Sequence, residues 1–441
     1  MKRAYLTVVL LLSAAMTTLP TFRAAAQNAK QEIEADINKA GGVYLAYPAP
    51  EETLTPAPKG YKPFYLTHYG RHGSRYLLLN DEYDDPVEIL DKAYYAGKLT
   101  PLGKDVRTRM QRIYSVAKNR AGELTQLGAR QHREIAARMA DNFPEIFKRR
   151  GTKITVWSSV VPRCLLSMAA ACDALKEHNP SLEITRDASA AHMYKLHCFR
   201  KDFNPLLSEK AQGIIRNTDP EWAALRNEFM RRNIDPARIT GLLFTKPDYA
   251  EGRFDAYDFT RKLMLNAVSL QGLDIDDVTL GDLFTTEELY GLWRYMNFDE
   301  YHRFGPSARY GNTILGEAKN MLRVFIEETD HALAAGQPSA SLRFGHDTSL
   351  MAMTALMQIY GCAERVADDD KIEESWVNYR ITPMAANLQA VFYRSAASDD
   401  ILVKIILNEH EVRIPVASAT APYYRWKDVK QFWTEVLQNT K

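Results

Sequence analysis

Cysteine is scarce in this chain: four in 441 residues, at positions 164, 172, 198 and 362. None falls in a C-x-x-C pair, which excludes a thiolate zinc site, and four in a chain this long do not make a disulfide framework. Cys164 and Cys172, eight apart on one expected helix, are too far apart to bond to each other. Net charge is scarce too, at +1, so bulk electrostatics gives no reason to bind nucleic acid. Repeats and low-complexity segments are absent. The one long apolar run is "AYLTVVLLLSAA" at 4–15, too short for a comfortable membrane span.

That run follows Lys2 and Arg3 and precedes "AAA" at 24–26, the layout of a secretory signal peptide. The expectation is therefore removal of residues 1–26, export to the periplasm or beyond, and a catalytic domain over 27–441, with no stable membrane insertion. A lipid-modified cysteine at the cleavage site is excluded, because no cysteine precedes Cys164. Lys2, Arg3 and Arg23 leave with the signal and no acid does, so the remaining chain carries −2. Any basic cluster in such a chain is local. Nothing in the sequence specifies an oligomeric state.

What is present is ordinary globular material, 46% apolar and 25% charged, enough to bury a large core. Proline-rich 47–63 reads as irregular. Strands are expected at 64–69, 153–160, 340–346, 387–395 and 401–415, the last with room for a tight hairpin around Asn408. Helices are expected at 123–143, from Pro162 onward, over "DTSLMAMTALMQIYG" with Gly361 as its stop, and at 426–438. Residues 175–335 read as mainly helical. Strand–helix units followed by a helical insert and further strands predict an α/β fold: a central, mainly parallel sheet flanked by helices, with an inserted α-helical subdomain at roughly 175–335.

Three expected strand ends carry polar clusters: Arg71, His72 and Arg75 in "YGRHGSRY"; Arg163 after the second strand; His346 and Asp347 after "SLRFG". Ligands bind at the carboxyl ends of strands in open α/β sheets, so the three clusters converge on one crevice. His68 and His72 do not suit a shared metal, because four strand residues separate them by roughly 13 Å. No other cluster has ligand spacing, and no cofactor is expected. Three arginines with few acids repel one another unless an anion joins them, and guanidinium forks match phosphate oxygens. An imidazole held among them is placed to attack phosphorus, and Asp347 is the candidate to protonate the departing alcohol. Ser159 and Ser167 read as capping or packing groups, His132 as structural or exposed, Gly128 as a packing contact, and Tyr76 as either entrance or core.

Arg71-His72-Gly73-Ser74-Arg75 resembles the R-H-G-x-R signature of the histidine acid phosphatases, in branch 2 of the histidine phosphatase superfamily. "LTQLGARQH" (124–132), "SSVVPRCLLSMAA" (158–170) and "FGHDTSL" (344–350) resemble further family segments, in the family's order. The resemblance implies a phosphoglycerate mutase-like fold, His72 as nucleophile, Asp347 as general acid, and Arg71, Arg75, Arg163 and His346 as phosphate ligands. Two departures stand out. Leu77 occupies a position that is often proline, and His346-Asp347-Thr348 replaces the H-A-E usual in the multiple inositol-polyphosphate phosphatases that R-H-G-S-R-Y otherwise resembles.

The expected activity is metal-independent phosphomonoester hydrolysis through phosphohistidine, on small organic phosphates with phytate or another inositol polyphosphate first. Arg200 and Lys201 are candidates for extra phosphate contacts. The alternatives are an acid phosphatase for sugar or other small phosphate esters, a mutase-type phosphotransferase, which export disfavours, and a non-catalytic phospholigand-binding protein.

Overall fold

The structure, a computed structural model, describes residues 28–50 and 52–440; the signal-peptide reading of 1–26 lies outside them. Eight strands form one sheet in the order β3-β2-β4-β1-β5-β6-β7, with β8 also pairing β6. Its first half is parallel: β3 (Glu183–Asp187), β2 (Lys153–Ser158), β4 (Ala340–Gly345) and β1 (Tyr61–Arg71). Its second half is antiparallel: β5 (Asn387–Ser395), β6 (Ser398–Leu407), β7 (His410–Glu411) and β8 (Tyr423–Arg425).

The central strands are buried on both faces, which is why they read as near-continuous apolar runs. Consecutive residues feed opposite layers. Leu66 of β1 and Leu342 and Phe344 of β4 pack beneath the helices Gln126–Asn142 and Pro162–His178. Tyr65 and Tyr69 join the larger core on the other face, with the helices Gly311–Ala335, Asp347–Leu356 and Trp426–Asn439.

Three expectations are corrected. β3 lies inside the stretch read as helical, because it is an edge strand of sequence "EITRD" with no buried residue and no apolar alternation. The helical excursion starts after it, at Ala190, and the 25-residue helix Gly311–Ala335 carries the chain back to β4. The helix after β4 ends at Leu356, before Gly361; Gln358 already takes a left-handed φ of 56°. At the β6–β7 turn, Asn408 and Glu409 have φ of 53° and 65°, the two positive values that a tight two-residue hairpin requires. All four cysteines are buried free thiols.

Candidate active site

The parallel strands aim their carboxyl ends at one cleft of about 420 Å³, lined among others by His72, Arg75, Arg163, His346 and Asp347. His72 follows the last residue of β1, His346 and Asp347 follow β4, and Arg163 sits in the first turn of the helix after β2. Of the six expected site residues, five line the cleft and Arg71 lies behind it.

The loop after β1 is held through its own backbone. Gly73 meets Gly128 so closely that a Cβ on Gly73 would stand 2.2 Å from the Gly128 carbonyl oxygen, and a Cβ on Gly128 would stand 2.2 Å from that of Ser74. Gly73 N donates to Ser167 Oγ (3.1 Å) and Ser74 N to Gln131 Oε1 (2.9 Å). Thr125 donates from both N and Oγ1 to Ser74 O while capping the helix Gln126–Asn142. Gly128 is thus a packing contact, as read, and Ser167 holds the loop rather than reacting. Leu77 N donates to Tyr83 Oη at 2.8 Å, a bond that proline in this position cannot make.

His72 is buried, with Nδ1 2.9 Å from the carbonyl oxygen of Gly73. A carbonyl only accepts, so Nδ1 carries the hydrogen and Nε2 keeps its lone pair. Burial first, then Arg163, Arg71, Arg75 and His346, hold the ring well below the usual histidine pKa. It is neutral, with a lone pair on Nε2. His346 lies edge-on to it at 5.8 Å between ring centres, with Nε2 3.1 Å from Ser159 Oγ and its backbone N donating to Tyr69 Oη.

The three arginines are not equivalent. Arg71 is fully buried; its Nη1 donates to the carbonyls of Val43 (2.6 Å) and Thr382 (2.7 Å), and Nη2 lies 2.7 Å from Asp347 Oδ2. Arg75 stands over the Tyr44 ring at 5.0 Å and donates to Tyr76 O; Arg163 reaches Gly122 O at 3.4 Å. The Nε atoms of all three are buried without a hydrogen-bond partner among the described residues. Buried donors left in this way need an explanation, and an anion in the cleft supplies one. Burial acts to raise the Asp347 pKa, but Arg71, Arg75 and His346 outweigh it and hold the carboxyl at about 2.

Several lining residues carry no local signature in the sequence. His197 sits 4.8 Å from His346 between ring centres, its pKa lowered to about 4 by burial and then by Arg200. Arg226, Arg261, Arg303 and Glu300 arrive from helices of the excursion. Arg200 lines the cleft as expected, whereas exposed Lys201 does not. His132 is buried against Phe344, its pKa lowered to about 4 by burial. Tyr76 is buried, with its hydroxyl accepting from Arg120.

The strand ends thus bring guanidiniums, a neutral imidazole and a carboxyl together at one cleft. The protein is a phosphatase by class. It belongs to the histidine phosphatase superfamily (branch 2), whose family model matches residues 70–408. The human multiple inositol polyphosphate phosphatase 1 is 21% identical over 339 residues, 72% of this chain and 67% of its own length. Among solved structures, the Bifidobacterium longum multiple inositol polyphosphate phosphatase in complex with inositol hexasulfate superposes with a TM-score of 0.75 at 18% identity, covering 90% of this chain and 97% of that one. The phytase from D. castellii gives 0.70 at 16% identity, covering 97% and 90%.

Proposed function

We propose that the protein is an exported, metal-independent phosphomonoesterase that hydrolyses inositol polyphosphates such as phytate through a phosphohistidine on His72. The observation that carries this reading is the tie from Nδ1 of His72 to Gly73 O, which leaves Nε2 unprotonated among the arginines. Nε2 attacks phosphorus in line, Arg75, Arg163 and His346 take the equatorial oxygens, and the P–O bond to the alcohol breaks as Asp347 delivers a proton. Water then attacks the phosphohistidine, with Asp347 accepting a proton, and phosphate leaves. Arg71 contributes through its free Nε and through Asp347, which it orients. Charge stabilisation by the clamp supplies most of the catalysis, as in phosphoryl transfer generally.

Export rests on the N-terminal sequence alone; among the described residues no helix is long and apolar enough to cross a membrane. Metal independence rests on the clamp, since fixed guanidiniums do the charge neutralisation that a divalent ion does elsewhere. Two measurements test it. Excess chelator should leave phosphate release unchanged, and vanadate or tungstate should inhibit competitively by occupying the clamp. Loss of activity with chelator, restored by a divalent ion, would show the metal assignment to be wrong.

The inositol polyphosphate reading is supported by arginines at 200, 226, 261 and 303 around the cleft wall. Arg226 and Arg303 share Asp299, and Arg261 pairs with Asp258. Among the described residues Arg200 pairs with exposed Asp202 alone and stacks on Phe203, so it is the wall arginine most able to turn to a second phosphate. Arg200→Ala should raise KM for phytate severalfold with little change in kcat, the mark of binding shared by ground and transition states. Lys201→Ala should change neither. Fast turnover of a sugar monophosphate beside poor turnover of phytate would favour the small-ester reading.

A further inference from the structure

Four carboxyl side chains line this cleft, Glu82, Asp299, Glu300 and Asp347; Glu82 is tied to the backbone N of Leu79, and Asp347 and Glu300 stand in opposite settings. Asp347 is pinned to Arg71 and takes a hydrogen bond from Thr348 N at 2.8 Å. Glu300, in the last full turn of the helix Thr286–Phe304, forms no ion pair among the described residues, while its neighbour Asp299 takes both Arg226 and Arg303. The hydrogen-bond donor to Glu300 is Asn378 Nδ2, 2.8 Å from Oε2. That amide cannot be turned round, because its Oδ1 accepts from Trp293 Nε1 at 2.9 Å, and an indole nitrogen only donates. Oε2 is therefore an acceptor, and Oε1 is left to carry a proton.

The charges around Glu300 favour that proton. Burial is the largest influence; Asp347 and Asp299 add to it, the Asn378 bond and Arg71 oppose it, and together they push the carboxyl up to about 8. Tyr44, from the segment packed on the same helix, also feels this carboxyl. From the other helices against it, Arg226 turns to Asp299 and Arg261 to Asp258. A pair of carboxyls driven apart in this way marks an acid and a base.

We propose, on the phosphatase reading above, that Glu300 is the proton store of the cleft, from which Asp347 is loaded when substrate binds. The arriving phosphate dianion draws on Arg71 and Arg75 and weakens their hold on Asp347. The proton leaves Glu300 Oε1 and reaches Asp347, which passes it to the ester oxygen as that oxygen's bond to phosphorus breaks. The alcohol departs neutral, the phosphoryl group stays on His72, and Glu300 is left as carboxylate. In the second step one proton of the attacking water returns through Asp347 to Glu300, restoring the resting state. Glu300 acts through Asp347, so it is a positioning residue for the proton and touches no reacting atom.

The test is the pH profile of kcat/KM on an alkyl phosphate. In the wild type the rate should fall as pH rises through about 8, because the store empties above that value. Glu300→Gln keeps the size and the bond to Asn378 but holds no transferable proton. It should lower kcat/KM about tenfold at neutral pH and move the alkaline limb to lower pH, with nitrophenyl phosphate affected far less. In an Asp347→Asn background the same substitution should cost nothing further, since the two act in series. An unmoved alkaline limb, or losses that simply multiply, would overturn the proposal. Should Glu300→Gln fail to fold, the infrared spectrum of the wild type reads the same group directly. A protonated-carboxyl band that disappears with a midpoint near 8 is expected, and its absence overturns the proposal. If the wild type releases no phosphate at all, the phosphatase reading fails instead, and the infrared band still decides the state of Glu300.

Discussion

His72→Ala should lose at least ~10⁴-fold in turnover of every phosphate ester, since the variant lacks the nitrogen that attacks phosphorus in the phosphohistidine route. The fold should survive the change. Among the described residues His72 makes its one side-chain hydrogen bond to its own neighbour, Gly73 O, and removing it deletes no hydrogen bond between distant segments. Circular dichroism and the unfolding midpoint should stay close to wild type. Rapid quench of the wild type with radiolabelled ester should leave an acid-labile, base-stable label on the protein, absent from the variant. Sustained turnover by the alanine variant would sink the phosphohistidine mechanism and leave His72 a mere phosphate ligand.

Asp347→Asn should separate substrates by their leaving groups. The amide keeps the shape and can still face Arg71, but it has no acidic proton. An alkoxide leaves poorly without a proton, so kcat/KM for inositol or sugar phosphates should fall by ~10²–10⁴. Nitrophenolate departs unaided, and its ester should lose far less in the first step, with phosphohistidine accumulating if the second slows. The pH dependence follows from the charges. Asp347, held at about 2 by its cationic neighbours, is a carboxylate at every working pH until phosphate offsets those cations. Protonation of the donor is thus tied to binding, and activity on alkyl esters should be lost at alkaline pH. Equal losses for both esters in the variant would mean that Asp347 only anchors Arg71.

The floor of the cleft was legible in the sequence because its residues are bound to strand ends. His72, Arg163, His346 and Asp347 each follow, within a few residues, a buried apolar strand that the sequence shows clearly. The walls were not legible. Arg226, Arg261 and Glu300 lie on helices whose mutual packing, such as Phe229 stacked on Phe298 at 3.9 Å, leaves no periodic signature of where they will point. Nor does the sequence distinguish Arg71 from Arg75. What separates them is a pair of carbonyls, Val43 and Thr382, from segments far away along the chain. β3 escaped for a simpler reason: an exposed edge strand of charged residues has no apolar face to betray it.

The helix Gly311–Ala335 has one more effect. β3 and β4 run in parallel, so the chain leaving one at the catalytic edge must be returned to the opposite edge before it enters the other. Twenty-five helical residues, about 37 Å at 1.5 Å each, make that return alone. The preceding stretch from 188 to about 310 therefore departs from and rejoins the same edge, the one that bears the cleft. Lengthening such a detour is cheap, roughly 0.6 kcal/mol for each doubling, whereas a single added carbon at Gly73 or Gly128 collides with backbone. The walls, and with them the shape offered to an ester, can thus be rebuilt while the strand-end residues stay in place.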